Sequence, residues 1–199
     1  MPCTDIDLYA NVKKCAGKTN LPGIRERVFF IKKSNITTWP TIAKPTAEGA
    51  TLSTIVTATG NFGLAADSKW KELDLTPDAS SFQHETQGNP GCKTFNNTLA
   101  LIAPGTDEEV SGLIAMLNND DVVILAQQRN GKFRIYGNES FHTDFTSQQG
   151  SGTAVASDSA QTTINVAVTD EIPAPFYAGN IVFDGGTISG TDGKPVSGS

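Results

Sequence analysis

The stretch DVVILAQQRNGKFRIYG, Asp121 to Gly137, constrains the fold more than any other part of this chain. Two β-prone runs flank an Asn-Gly pair, the strongest short-range signal of a tight hairpin. With Asn130 and Gly131 in the turn, Arg129 faces Lys132, Gln128 faces Phe133, Ala126 faces Ile135 and Leu125 faces Tyr136. One face then carries Val122, Ile124, Ala126, Phe133 and Ile135, and the other Val123, Leu125 and Tyr136. A sheet that buries one face needs only one of these apolar sets. The second face requires a cover of its own.

Around this hairpin the pattern is that of an all-β protein with one helix. Strands are expected at Val28–Lys33, Thr51–Gly60, Lys69–Leu75, Ser81–Gln87, Cys92–Ala103, in SFHTDFT after Gly137, and at Thr162–Thr169. Pro173 and Pro175 leave IPAPFYAG merely extended, and IVFDGGTISG adds a last short strand. The helix is expected at about 106–118. Thr106 or Asp107 caps it, Glu108 and Glu109 suit its positive end, and Val110, Leu113, Ile114 and Leu117 form one apolar stripe. The sum is a β-sandwich or barrel with a single flanking helix. The 199 residues make one domain with a core at about 28–183, an N-terminal arm over 1–27 and a Gly/Ser-rich tail over 184–199.

The net charge of −6 argues against binding nucleic acid through a basic surface. Residues 1–50 hold eight Lys/Arg and four Asp/Glu, a net +4, which leaves −10 for the remainder. That asymmetry suits a subunit that meets copies of itself. Cys3, Cys15 and Cys92 are odd in number and unpatterned, which points away from a disulfide framework or a structural zinc site. The start carries no basic and apolar leader, and no apolar run reaches the roughly 20 residues of a membrane span, so a soluble protein of a reducing cytoplasm is expected.

Chemistry-bearing patterns are sparse. His84 in FQHET and His142 in FHTDF lie on expected strands without a nucleophile elbow, and read as structural. Cys92 reads as a structural thiol. Asp74, Asp78 and Glu85 are the nearest carboxylate cluster for glycoside hydrolysis, though acidic loops are more often solvated. Gly190–Lys194 lacks the spacing of a phosphate loop. Trp39 and Trp70 are candidates for stacking on sugars, with a core role favoured for Trp70. No catalytic, metal-binding or cofactor-binding residue is assigned, no cofactor is expected, and the chain is not expected to be an enzyme. Arg129 opposite Lys132 at the hairpin tip is a like-charge pair that an acidic neighbour would relieve.

The order of elements resembles a known family. The irregular arm, the acidic-capped helix, the hairpin ending GKFRIYG, the loop GSGTAVASDSAQTTINVAV and the broken strand IPAPFY together resemble the tail tube proteins of long-tailed bacteriophages, over about residues 70–180. The resemblance implies a β-sandwich with a flanking helix that closes into hexameric rings, stacked into a tube through which DNA is ejected. It further implies homo-oligomerisation, contacts with other tail proteins, DNA passing without specific binding, and location in the virion tail after assembly in the host cytoplasm. One hairpin face would then pack on the subunit's own core and the other would meet a neighbour or line the channel. Other viral ring, connector, tail-terminator or decoration proteins, and a carbohydrate-binding β-sandwich adhesin, are the alternatives.

Overall fold

A computed structural model of the chain describes residues 7–13, 16–17, 19–153 and 159–196. In chain order its strands are β1 (Ile24–Lys32), β2 (Ile36–Thr38), β3 (Thr41–Ile42), β4 (Thr57–Thr59), β5 (Gly63–Leu64), β6 (Lys71–Asp74), β7 (Ser81–Gln87) and β8 (Thr94–Pro104). The helix α1 (Glu108–Leu117) follows. Then come β9 (Val122–Gln128), β10 (Phe133–Tyr136), β11 (Asp144–Gly150), β12 (Gln161–Asp170), β13 (Phe176–Tyr177), β14 (Asn180–Phe183) and β15 (Gly186–Ser189). The protein is an all-β sandwich with one α-helix among the described residues. A seven-stranded sheet, β3-β4-β13-β10-β9-β1-β6, packs on a four-stranded sheet, β11-β12-β8-β7.

The turn of the central hairpin differs from the expected one, and the difference reorganises both faces. The Gly131 N–H donates to the Gln128 carbonyl and the Gln128 N–H to the Lys132 carbonyl, each at 2.9 Å. The loop is therefore Arg129–Gly131, three residues ending in Gly131 at φ +95°. Asn130 is not among the non-glycine residues with positive φ, so it lacks the conformation a two-residue turn of the expected type requires. Its side-chain Oδ1 instead accepts the Lys132 N–H at 3.0 Å. The extra loop residue moves the register by one. Phe133 pairs with Gln127, Arg134 with Ala126, Ile135 with Leu125 and Tyr136 with Ile124. A slip of one residue turns every side chain of a strand to the opposite face.

Both faces are consequently sorted into two cores. Val122, Ile124, Ala126 and Tyr136 face the four-stranded sheet and pack with Val28, Leu99, Leu101, Ile164, Val166 and Val168. Val123, Leu125, Phe133 and Ile135 face the other way, into a cluster with Phe29, Phe62, Trp70, Tyr177, Ile181 and Ile188. Phe62 meets Trp39, Trp70 and Tyr177 at ring separations of 5.5, 5.2 and 5.2 Å. This second core is closed by the β14–β15 hairpin, the β2–β5 pair and the chain around Trp39. The hairpin's second face is thus covered by the same chain and not by a neighbour.

The expected C-terminal tail is part of that cover. Residues 186–189 form β15, Ile188 is buried, and the Phe133 N–H donates to the Gly190 carbonyl at 3.0 Å. The chain then turns back so that Pro195 bridges to Ile188. At Gly193 (φ +73°) a Cβ would lie 1.9 Å from the buried Gln127 amide, so only glycine allows this closure. Ser197–Ser199 lie outside the described residues, as do Cys3 and Cys15.

Other boundaries shift for local reasons. Most of the strand expected over Thr51–Gly60 is a turn and a short 3-10 helix (Thr54–Val56), where Thr51 and Thr54 hydroxyls hydrogen-bond neighbouring backbone; only Thr57–Thr59 is extended. β1 starts at Ile24, inside the expected arm, and a bulge separates Ile24 from Val28. β11 starts at Asp144 and runs to Gly150, later than SFHTDFT implied and into the expected loop. The helix occupies Glu108–Leu117, with Leu117 buried and Leu113 packed on the first core.

Candidate functional site

Among the described residues the four-stranded sheet has one covered face and one open face, and the open face is their most distinctive surface. Period two places Leu99, Leu101, Ile164, Val166 and Val168 inward, and the alternate residues outward. Outward rows follow from the pairing. Ser81, Gln83 and Glu85 on β7 stand beside Ala100, Thr98 and Asn96 on β8. Thr163, Asn165 and Ala167 on β12 stand beside Gln148, Thr146 and Asp144 on β11. A shallow groove of about 350 Å³ runs across Gln83, Thr98, Asp144, Thr146 and Asn165, and a second of about 280 Å³ lies at Gln148, Gly150, Gln161 and Thr163. The four strands contain three carboxylates, Glu85, Asp144 and Asp170, and neither lysine nor arginine.

The edges of this sheet are equally unusual. Among the described residues β7 and β11 each have one strand neighbour, and each offers seven residues in unbroken register, with no bulge, proline or lysine. Such an edge presents unpaired N–H and C=O groups to another strand, and proteins that stay monomeric blunt it. The seven-stranded sheet does so: its edge strands are β3, of two residues, and β6, whose KELD sequence is charged and whose Lys71 pairs with Asp184 at 3.1 Å.

The residues singled out by type are scattered. His84 lies on the inner side of β7, stacked on Tyr136 at 6.0 Å and tilted against Phe82 at 5.2 Å, with neither ring nitrogen in hydrogen-bond geometry. Burial, then the positive Arg134, lower its pKa from 6.5 to about 4, against the opposing influence of Asn97. Arg134 stacks on Phe176 at 4.0 Å and donates to the Ala174 carbonyl. Burial pulls its pKa down, and burial pushes that of the Tyr136 hydroxyl up. His142 is exposed and lies 3.4 Å from Asp121, which also holds Lys33 at 3.1 Å and accepts the Thr143 N–H at 3.1 Å. Burial alone would raise the Asp121 carboxyl, but these donors and charges keep it below its ordinary value.

The carboxylates Asp74, Asp78 and Glu85 form no site together: Asp78 pairs with Arg129, and Glu85 accepts from Gln83 on the open face. The Asp78 pairing also replaces the expected relief of Arg129 by a neighbouring copy, and Lys132 rests 5.6 Å from the Phe176 ring instead of facing Arg129. Trp70 is buried and Trp39 is partly buried, in an edge contact with Phe62, so Trp70 at least presents no free stacking surface. Cys92 is free and exposed in the β7–β8 turn. Gly190–Lys194 closes the second core. Among the described residues no group of His, Cys, Asp and Glu is arranged to hold a metal ion, and no helix is long and apolar enough to cross a membrane.

Sequence reading missed the open face because its signal is an absence. Cations are missing from strands whose individual residues look ordinary, and the pattern emerges only when four separated segments are laid side by side. No family model, curated protein or solved structure matches this chain.

Proposed function

We propose that this chain is a structural subunit that joins copies of itself edge to edge through β7 and β11, as a tail tube protein of a long-tailed phage would. The rings would stack into a tube whose inner wall is the open face of the four-stranded sheet. The observation that carries this reading is the coincidence of two unblunted edges with a cation-free face on one sheet. Edge pairing between copies would satisfy the free backbone groups and, repeated around a ring, leave no edge exposed. A wall of Gln, Thr and Asn with a few carboxylates offers no lysine or arginine to condense on phosphates, so duplex DNA would slide without binding.

The hairpin's second face is covered internally, so the proposed lateral contact falls to the other sheet. The carbohydrate-binding alternative is weakened by the burial of Trp70 and the partial burial of Trp39. A ring or connector that does not stack is the remaining competitor. The test is cross-linking on a background with Cys3, Cys15 and Cys92 replaced by serine. Glu85→Cys on β7 and Thr146→Cys on β11, present in one chain, should yield under mild oxidation a ladder of covalent oligomers that ends at a closed number. Either cysteine alone should give no ladder. If the double variant stays monomeric under conditions where the protein is concentrated, edge pairing is wrong.

A further inference from the structure

Strand β7 is weakly anchored for its length: none of its seven residues is fully buried. Ser81, Gln83 and Glu85 stand on the open face. Apart from its ladder to β8, the strand is held from within by two half-buried rings, Phe82 and His84. Phe82 packs on the first core. Just ahead of the strand, the buried Ser80 hydroxyl accepts the Ile102 N–H at 3.0 Å and pins its start.

His84 sits in a cluster of unmatched polar atoms. Both of its ring nitrogens, the Tyr136 hydroxyl and the Arg134 Nε are buried without a hydrogen-bond partner. From β10, Arg134 lies over Phe82 at 5.7 Å and stays charged across the neutral and acid range. Tyr136, also on β10, stacks on the ring, and burial pushes its hydroxyl further from ionising. From β8, Asn97 pairs with His84 across the ladder. Its amide is already committed to the Ile172 carbonyl at 3.1 Å and the Ala174 N–H at 3.0 Å. Glu85 points to the opposite face, and among the described residues no carboxylate acts on the ring. A proton on His84 therefore adds a second cation beside Arg134 and an N–H with no acceptor in place.

We propose that His84 is an acid-operated latch on β7: protonation of its ring opens Phe82–Gln87 away from the sandwich, while Ser80 holds the start of the strand. The opened ring reaches water and escapes Arg134, whereas β8 and β12 keep their shared core of Leu99, Leu101, Ile164, Val166 and Val168. Opening withdraws one of the two edges through which copies would join. That consequence rests on the edge-to-edge reading, but the opening itself needs only a single chain. Because the closed ring resists its proton and the open one does not, acid shifts the balance towards the open strand. With allowance for solvent at a partly exposed ring, the shift is roughly tenfold between pH 8 and pH 5.

Hydrogen exchange of the dilute full-length chain, expressed as protection factors at pH 8 and pH 5, tests the latch. The β7 amides that bond to β8 should be less protected than those of β12 at both pH values, because they exchange through the smaller opening. Between pH 8 and pH 5 they should lose roughly tenfold in protection. His84→Phe keeps a ring in place and cannot titrate, so its β7 amides should hold one value; His84→Gln gives the same reading if the phenyl ring does not fit. His142→Gln should follow the parent.

Parent β7 amides that hold one value across this range overturn the proposal, as would a pH response that survives in both His84 variants. Equal protection of β7 and β12 overturns it too, since the strand would then open only when the whole domain does. Concentrating the protein separates the latch from the tube reading. In assembled particles the β7 amides should gain protection, because a neighbour's strand holds the edge shut. Particles whose β7 amides exchange as in the dilute chain, or no particles at all, sink the edge reading and leave the latch standing.

Discussion

The two sheets of this sandwich are built from similar strands and finished in opposite ways. The seven-stranded sheet is covered on both faces, with β9 buried along nearly its whole length, and its edges are short or charged. The four-stranded sheet is covered on one face, and its edges are long, regular and unprotected. A chain able to blunt edges, as β3 and β6 show, leaves β7 and β11 unblunted. On the proposed reading, the contrast separates the sheet that the chain completes by itself from the sheet that another copy would complete.

The strongest way to break the comparison is at the covered sheet. Deleting Gly185–Ser199 removes β15, the buried Ile188 and the carbonyl that accepts the Phe133 N–H. A cost above roughly 4 kcal/mol is expected, enough to unfold a domain of ordinary stability. Thermal denaturation checks this, and a truncated protein that melts like the parent would show that the aromatic core does not depend on its cover. Phe62→Ala, at the centre of the ring cluster, should cost about 3–5 kcal/mol by chemical denaturation.

A smaller effect is expected between the sheets. The His84 ring accepts a proton near pH 4 when folded and near 6.5 when unfolded. The unfolded chain therefore binds more protons in that window, so stability falls as pH drops from 6.5 towards 4 and gains no further change from this group below it. The melting temperature of His84→Gln, compared with the parent across that range, should show a shallower slope.

The smallest change is expected on the open face. Thr163→Lys with Asn165→Lys should alter monomer stability by no more than about 0.5 kcal/mol each. Yet assembled particles of that variant should retain duplex DNA in a salt-dependent manner, while the parent releases it. DNA retention by the parent would remove the reason for a cation-free wall.

The four-stranded sheet was the more legible of the two in the sequence. Period two made the strands holding Phe95, Leu99 and Leu101 and Thr162–Thr169 readable, the turn residues after Gln87 marked Ser81–Gln87 as a paired strand, and the apolar stripe from Val110 to Leu117 made the helix readable. The hairpin is where the sequence places it but one residue out of the expected register, because Asn-Gly also fits the next most common connection, a three-residue loop with glycine last. The hydrogen bonds of Gln128 and the strand register distinguish them. The C-terminal segment was misread because its glycines resemble those of a flexible tail, whereas Gly190 and Gly193 are required by close packing against Tyr177 and Gln127. Gly190 and Tyr177 are 13 residues apart and Gly193 and Gln127 are 66 apart, separations that the local run of glycines does not report.

The central claim is that the four-stranded sheet is finished by other copies of the chain. Negative-stain electron microscopy of the purified protein over a concentration series tests it most directly. The account predicts closed rings with a central hole, stacking into hollow tubes as concentration rises. Particles that remain single sandwiches at the highest concentration, or that associate without a hole, would contradict it.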